Sequence, residues 1–191
     1  MTEALMSRQE YLHSSALVSD TNHRGNKALL DLPRRALFCS ASCPGDVIIR
    51  AHDYFSDSRA DGSVTIAGFQ SSLERIWLAL LLRARQPVVI CPARAIETMR
   101  VPVGWRAALD GGSLMVVSPF SGGHRRATAE SAVVRNEFVA GLADKILVPH
   151  AALGSKTEAL CIRAAAQGKR LLTFASPNNA NLIALGAHAV A

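Results

Sequence analysis

Residues Arg135 to Ala187 read RNEFVAGLADKILVPHAALGSKTEALCIRAAAQGKRLLTFASPNNANLIALGA. An Arg135-Asn136 pair sits in a helical stretch that ends near Asp144. A short apolar run, Lys145 to Pro149, follows as a buried strand. Gly154-Ser155-Lys156-Thr157 then opens a second helix, and Arg170 to Phe174 makes a further strand. A strand, a turn of small residues and a helix form a device for holding phosphate. The free N–H groups of the first helical turn and the positive end of the helix dipole point at the anion. Lys156 adds a point charge, and Ser155 and Thr157 add hydroxyl donors. The pattern places a nucleotide or a nucleic-acid backbone ahead of other ligand classes.

The same alternation extends upstream. Strands are expected at Ala36–Ser40, Val64–Gly68, Pro87–Cys91 and Leu114–Ser118. Helices are expected at Gly45–Ala60, Ser71–Arg85, Trp105–Asp110 and Ala127–Ala143, with Asn178–Leu185 closing the chain. Short apolar strands alternating with amphipathic helices imply an α/β fold, a mainly parallel sheet covered on both faces. Right-handed crossovers make it doubly wound and Rossmann-like. Residues 1–31 are polar and lack apolar period, apart from a helical stretch around Gln9 to Val18. They read as a loosely held arm, with the Rossmann-like domain spanning residues 32–191.

Composition agrees with a folded nucleic-acid binder. The 191 residues are 49% hydrophobic and 19% charged, with net charge +6. Of the 21 basic side chains, 17 are arginine and four are lysine. Arginine favours two-pronged contact with phosphate, and a basic balance fits an anionic partner. Cysteines at 39, 43, 91 and 161 complete no zinc set and suggest no disulfide framework. No apolar run is long enough to span a bilayer, so a reducing cytoplasm and no membrane partner are expected. No cofactor or catalytic set emerges.

In doubly wound sheets, ligands bind beyond the carboxyl ends of the strands. Candidate phosphate contacts there are Ser40, Ser42 and Gly45 after the first strand, and Gly68, Phe69 and Gln70 after the second. Arg94 and Arg100 follow the third, Arg125 and Arg126 the fourth, and Gly154 to Thr157 the fifth. Arg135 and Asn136 complete the set. Several have plainer readings. Ser40 to Gly45 reads equally as a tight turn, and Ser71 with Glu74 reads as a capping box. Glu97 could pair with Arg94 or Arg100, and Arg135 could bond a loop from inside its helix. Arg125 and Arg126 open a helix, where a bound anion would offset unfavourable positive charge. Gly154 to Thr157 lacks the first glycine of a Walker loop.

The run Arg135-Asn136, Val139 to Asp144 and the following strand resembles the Arg-Asn-Arg-Ile-Ile-Ala-Gly-Leu-Ser signature of the DprA/Smf DNA-processing proteins. Gly154 to Thr157 stands where that family has a Ser-Gly-Ser turn. Asn181-Leu182-Ile183 and Gly186-Ala187 are similar to its closing Asn-x-Leu-Ile and Gly-Ala. Ala67-Gly68-Phe69 and Ser118 resemble the family's second-strand loop and Ser-Glu segment. The likeness covers about Leu32 to Val190 and is closest to a short subgroup. It implies an extended Rossmann fold that binds single-stranded DNA in a basic rim pocket, a homodimer, and handover to a recombinase. The family's Gly-Ser-Arg is Ser40-Ala41-Ser42 here, so Arg94 and Lys156 are expected to supply the missing charge. The chain is too short for the extra domains of long members, so recombinase handover is not carried over. Phe69 or Phe120 is expected to stack a base. The same superfamily includes LOG-type phosphoribohydrolases. Gly154 to Glu158 is a shortened echo of their turn, which makes a small-nucleotide enzyme or sensor the alternative.

Overall fold

The computed structural model describes residues 21–57 and 61–190. The helical stretch expected at Gln9 to Val18 lies outside them. Eight strands are present: β1 (Asn22–Gly25), β2 (Arg34–Leu37), β3 (Val64–Ala67), β4 (Val88–Ile90), β5 (Leu114–Ser118), β6 (Lys145–Leu147), β7 (Arg170–Phe174) and β8 (His188–Val190). The helices are α1 (Gly45–Asp57), α2 (Ser72–Arg83), α3 (Val103–Asp110), α4 (Ala129–Leu142), α5 (Lys156–Ala166) and α6 (Ala180–Ala184). Short 3-10 turns cover Lys27–Asp31 and Pro177–Asn179. No helix among the described residues is long and apolar enough to cross a membrane.

The sheet order is β1-β5-β4-β3-β2-β6-β7-β8. Only β1 runs antiparallel, against β5. The α/β, doubly wound architecture expected from the alternation is therefore present. Pairing moves outward from β2 through β3 and β4 to β5, then returns so that β6 lies on the other side of β2. The reversal between β2 and β6 is a topological switch point, where the loops leaving adjacent strands diverge and open a crevice.

Two apolar layers hold the sheet. The central strands alternate between them with the two-residue period of a strand. Ala36, Ile66, Val89, Met115 and Val117 face a cluster with Val139, Leu142, Leu160, Cys161 and Leu182. Leu37, Ala67, Val88, Ile90, Leu114 and Val116 face another with Val47, Phe55, Leu73, Trp77 and Leu81. Burial on both faces explains why these strands read as unbroken apolar runs.

Residues 22–31 depart from the loosely held arm expected of 1–31. Asn22 to Gly25 pair along the β5 edge in register with Ser118 to Met115, and Leu29 is buried in the core. The Arg24 guanidinium also donates to the Glu97 and Met99 carbonyls. An edge strand gains its place from backbone pairing, so it needs no apolar period. The same holds for β8.

Candidate functional site

Because the parallel strands share one direction, α1, α2, α4 and α5 all begin at the carboxyl edge of the sheet. Their first turns and the preceding loops form one rim. At the switch point the β2 and β6 loops are tied together by Ser40. Its N–H donates to the His150 carbonyl (3.0 Å), and its hydroxyl donates to Ser155 Oγ (3.3 Å) and accepts from the Ala152 N–H (3.0 Å). Ser40 is buried and holds the crevice closed at its base. Ser42 and Gly45 are exposed, Gly45 as the first residue of α1.

A hollow of about 220 Å³ opens beside this junction, lined by Cys39, Ala41, Gly68, Gln70, Arg135, Asn136 and Thr157 among others. Two side chains from different elements shape it. Glu74, in the first turn of α2, is buried. One of its oxygens accepts from the Cys39 N–H (2.9 Å), and the other from the Gln70 (2.7 Å) and Ser71 (3.4 Å) N–H groups. One carboxylate thus fixes the loops after both β2 and β3 and completes a capping box with Ser71.

Arg135 reaches the same hollow from inside α4. Its Nη1 donates to the Cys91 carbonyl (2.9 Å) and its Nε to Asn136 Oδ1 (2.7 Å). Burial lowers its pKa, and the charge of Glu74 opposes that shift. Gly68 makes room for it: a Cβ there would lie 1.3 Å from Arg135 Nη1. The glycine answers a close approach, not a backbone angle. The neighbouring Phe69 does adopt a left-handed φ of +53°, rare for an aromatic residue. That turn swings the Gln70 N–H toward Glu74.

The β6–α5 turn repeats the scheme. Gly154 has φ +71°. Ser155 caps α5 by accepting from the Glu158 N–H (3.1 Å). Glu158 accepts from the Gly154 N–H (2.6 Å) and the Asn181 amide (2.5 Å). Those two bonds, the Asn181 one foremost, hold its carboxyl below the usual range. Each Glu158 oxygen thereby accepts one hydrogen bond, which fixes the carboxylate over the turn. Thr157 lines the hollow, while Lys156 is exposed and acts on Glu130 at the start of α4.

The cations do not converge on that hollow. Arg94 lines a second, largely apolar one of about 180 Å³ with Phe69, Ile90, Pro92, Met99 and Trp105. Gly68 and Gln70 border both hollows and separate them. Arg100 lies exposed beyond Met99, lining neither of them. Arg125 and Arg126 are exposed in the loop ahead of Thr128, which caps α4. They therefore precede the helix instead of opening it. Glu97 pairs with neither Arg94 nor Arg100; it accepts from Asn22 and from the Gly122 N–H. The expectation of base stacking fails on burial: Phe69 is 5% and Phe120 8% exposed, with Phe69 in the core and Phe120 against His124.

Sequence reasoning placed the loops but missed Cys39, Ala41, Leu160 and Trp105 as lining residues. Their positions just after strands or within the following helices were the available signal. Among the described residues, no cluster of three or more His, Cys, Asp or Glu could hold a metal ion.

Two solved structures share this fold. DNA processing protein A from Streptococcus pneumoniae superposes with a TM-score of 0.72 at 18% identity, over 88% of this chain and 62% of that one. The chain has a DprA-like fold. The Helicobacter pylori protein gives the same TM-score at 16% identity, over 98% of this chain and 88% of its own. That structure concerns the single-stranded DNA binding mode of the Helicobacter DprA. The present chain thus spans less than two thirds of the Streptococcus protein. No protein-family model and no curated protein matches it.

Proposed function

We propose that this protein binds single-stranded DNA along the carboxyl rim of its sheet, as part of DNA processing in the cytoplasm. One observation carries the reading. Among the described residues, the rim cations Arg94, Arg100, Arg125, Arg126 and Lys156 form no ion pair. They are exposed on the edge where four helix N-termini collect. The rim carboxylates instead bond N–H groups and neutral side chains: Asp46 with Ser176 and Asn178, Glu74 and Glu158 with the loops. Dispersed cations without an ion pair suit a chain of phosphates better than one compact anion. The fold shared with a DprA whose single-stranded DNA binding has been studied structurally supports the same partner.

The test is a salt-titrated anisotropy measurement with labelled single strands, duplex and mononucleotide. Four or five phosphate contacts give a log–log salt slope of about −3 for single strands. Affinity should then fall about 60-fold between 50 and 200 mM salt. Lys156→Ala and Arg94→Ala should each flatten the slope by about 0.7. Affinity independent of salt, or saturable binding of the mononucleotide alone, would overturn the reading.

A further inference from the structure

Two arginines are buried among the described residues, Arg35 at 3% and Arg135 at 4% exposure. Arg35 has a carboxylate, Asp61, at 3.1 Å. Arg135 forms no ion pair among the described residues. Its Nη1 and Nε donate to neutral acceptors, the Cys91 carbonyl (2.9 Å) and Asn136 Oδ1 (2.7 Å). Its Nη2 has no acceptor among the described residues and keeps an open side. The side chain lines the hollow of about 220 Å³ beside the switch point. A buried guanidinium without a counter-charge is costly, so an anion is what this position lacks.

The rest of the polar lining is rich in donors. The Arg135 Nε–H can only donate, so the Asn136 amide turns its oxygen toward it and keeps its NH₂ for another partner. Thr157 brings a hydroxyl from the first turn of α5, where the helix dipole adds positive potential. Gln70 gives one amide N–H to the Gly68 carbonyl and has a second to spare. Glu74 also lines the hollow, but its carboxylate already accepts three N–H bonds. Ser40 ties the loops together at the base, and Gly68 and Gln70 part this hollow from the second one. The space therefore suits the end of a strand better than a strand passing through. We infer that the hollow receives the terminal phosphomonoester of a DNA strand, held by Arg135 Nη2, the Asn136 amide and the Thr157 hydroxyl. This rests on the reading of the rim as a single-strand site and adds a preference for one kind of end. A phosphomonoester carries a charge of about −1.5 to −2 at pH 7, more than a diester link, and meets arginine with two-pronged geometry. A free mononucleotide presents the same group.

The test uses full-length protein and internally labelled strands of one sequence with a 5′-phosphate, a 3′-phosphate or neither, at fixed salt. A phosphate at one end should tighten binding about tenfold, and the other end should gain little. Asn136→Asp keeps an acceptor for Arg135 Nε but puts a carboxylate in the hollow, and should bring the ratio to about one. Arg135→Gln should do the same; because it also removes a buried guanidinium, Asn136→Asp decides. Equal affinity for all three strands would overturn the inference. So would an equal gain at both ends, which marks general charge attraction, or a gain that survives Asn136→Asp. Mononucleotide and nucleoside form a separate arm. If no strand binds but the mononucleotide does, and Asn136→Asp abolishes that binding, the rim reading falls and the phosphate site stands, for a free nucleotide. If unphosphorylated strands bind with a steep salt dependence but no end is preferred, the rim reading stands and this inference falls. Binding of neither overturns both.

Discussion

The two ends of the sheet use their carboxylates in opposite ways. At the amino end, Asp144 takes the Arg34 guanidinium (2.6 Å), and Asp61 takes Arg35 (3.1 Å) and Lys145 (3.3 Å). Each carboxylate there cancels cationic charge. At the carboxyl end, Glu74 and Glu158 are spent on backbone N–H groups and on Asn181. They shape loops and form no ion pair among the described residues. Net charge alone therefore says little about where an anion goes. One edge is neutralised pair by pair, and the other keeps its cations because its acids are committed to building the turns.

The largest expected effect lies at the rim. Glu74→Ala removes the acceptor of three N–H groups in two loops, in a buried setting where water replaces it poorly. The loss should be about 3 kcal/mol, read from the urea midpoint with an unchanged slope. A loss under about 1 kcal/mol would mean that the loops hold their shape without the carboxylate, and the contrast between the two ends would fail. Gly68→Ala comes next. Its new methyl would displace the Arg135 guanidinium from Cys91 and Asn136. That should cost about 1.5 kcal/mol, less than Glu74→Ala because a long side chain can swing into the hollow. The same urea measurement ranks the two.

The core strands were legible because burial on both faces leaves a continuous apolar run. Leu114–Ser118 and Arg170–Phe174 match the expected limits. Other strands end one to three residues earlier than the apolar run suggests. Phe38, Cys39 and Val148 stay buried after the regular strand has finished, so hydrophobicity overshoots the ladder. The edge strands Asn22–Gly25 and His188–Val190 left no such trace. At the rim, the loops could be named from their place after each strand, but their inward side chains could not. Arg135 meets Cys91 across 44 residues, and no local pattern encodes that meeting. Phe69 turns into the core on a left-handed backbone, which an aromatic residue in a Gly-Phe-Gln run does not announce. The Ser-x-x-Glu spacing at 71–74 and 155–158 was the readable signal. It marks the carboxylates that build turns.

The smallest effect is expected at the amino end, and its pH dependence separates charge pairing from turn building. Partial burial raises the Asp144 pKa, but the Arg34 side chain and N–H outweigh it and leave the carboxyl below its ordinary value. A carboxylate depressed in the folded state stabilises it above the unfolded pKa of about 4, and that contribution disappears as pH falls through the folded pKa. The Asp144 side chain is 50% exposed, so solvent screens the pair and Asp144→Asn should cost only about 0.5 kcal/mol at pH 7. The asparagine retains an oxygen for the Arg34 N–H but loses the charge and the oxygen that accepts from Arg34 Nη2. The difference between wild type and variant should therefore shrink in 1 M salt and close as pH drops below about 4. Urea melts at pH 7 and pH 2.5, with and without salt, measure it. A gap that survives both acid and salt would show that Asp144 acts through its hydrogen bonds, as the rim glutamates do, and the two ends would then differ in their cations alone.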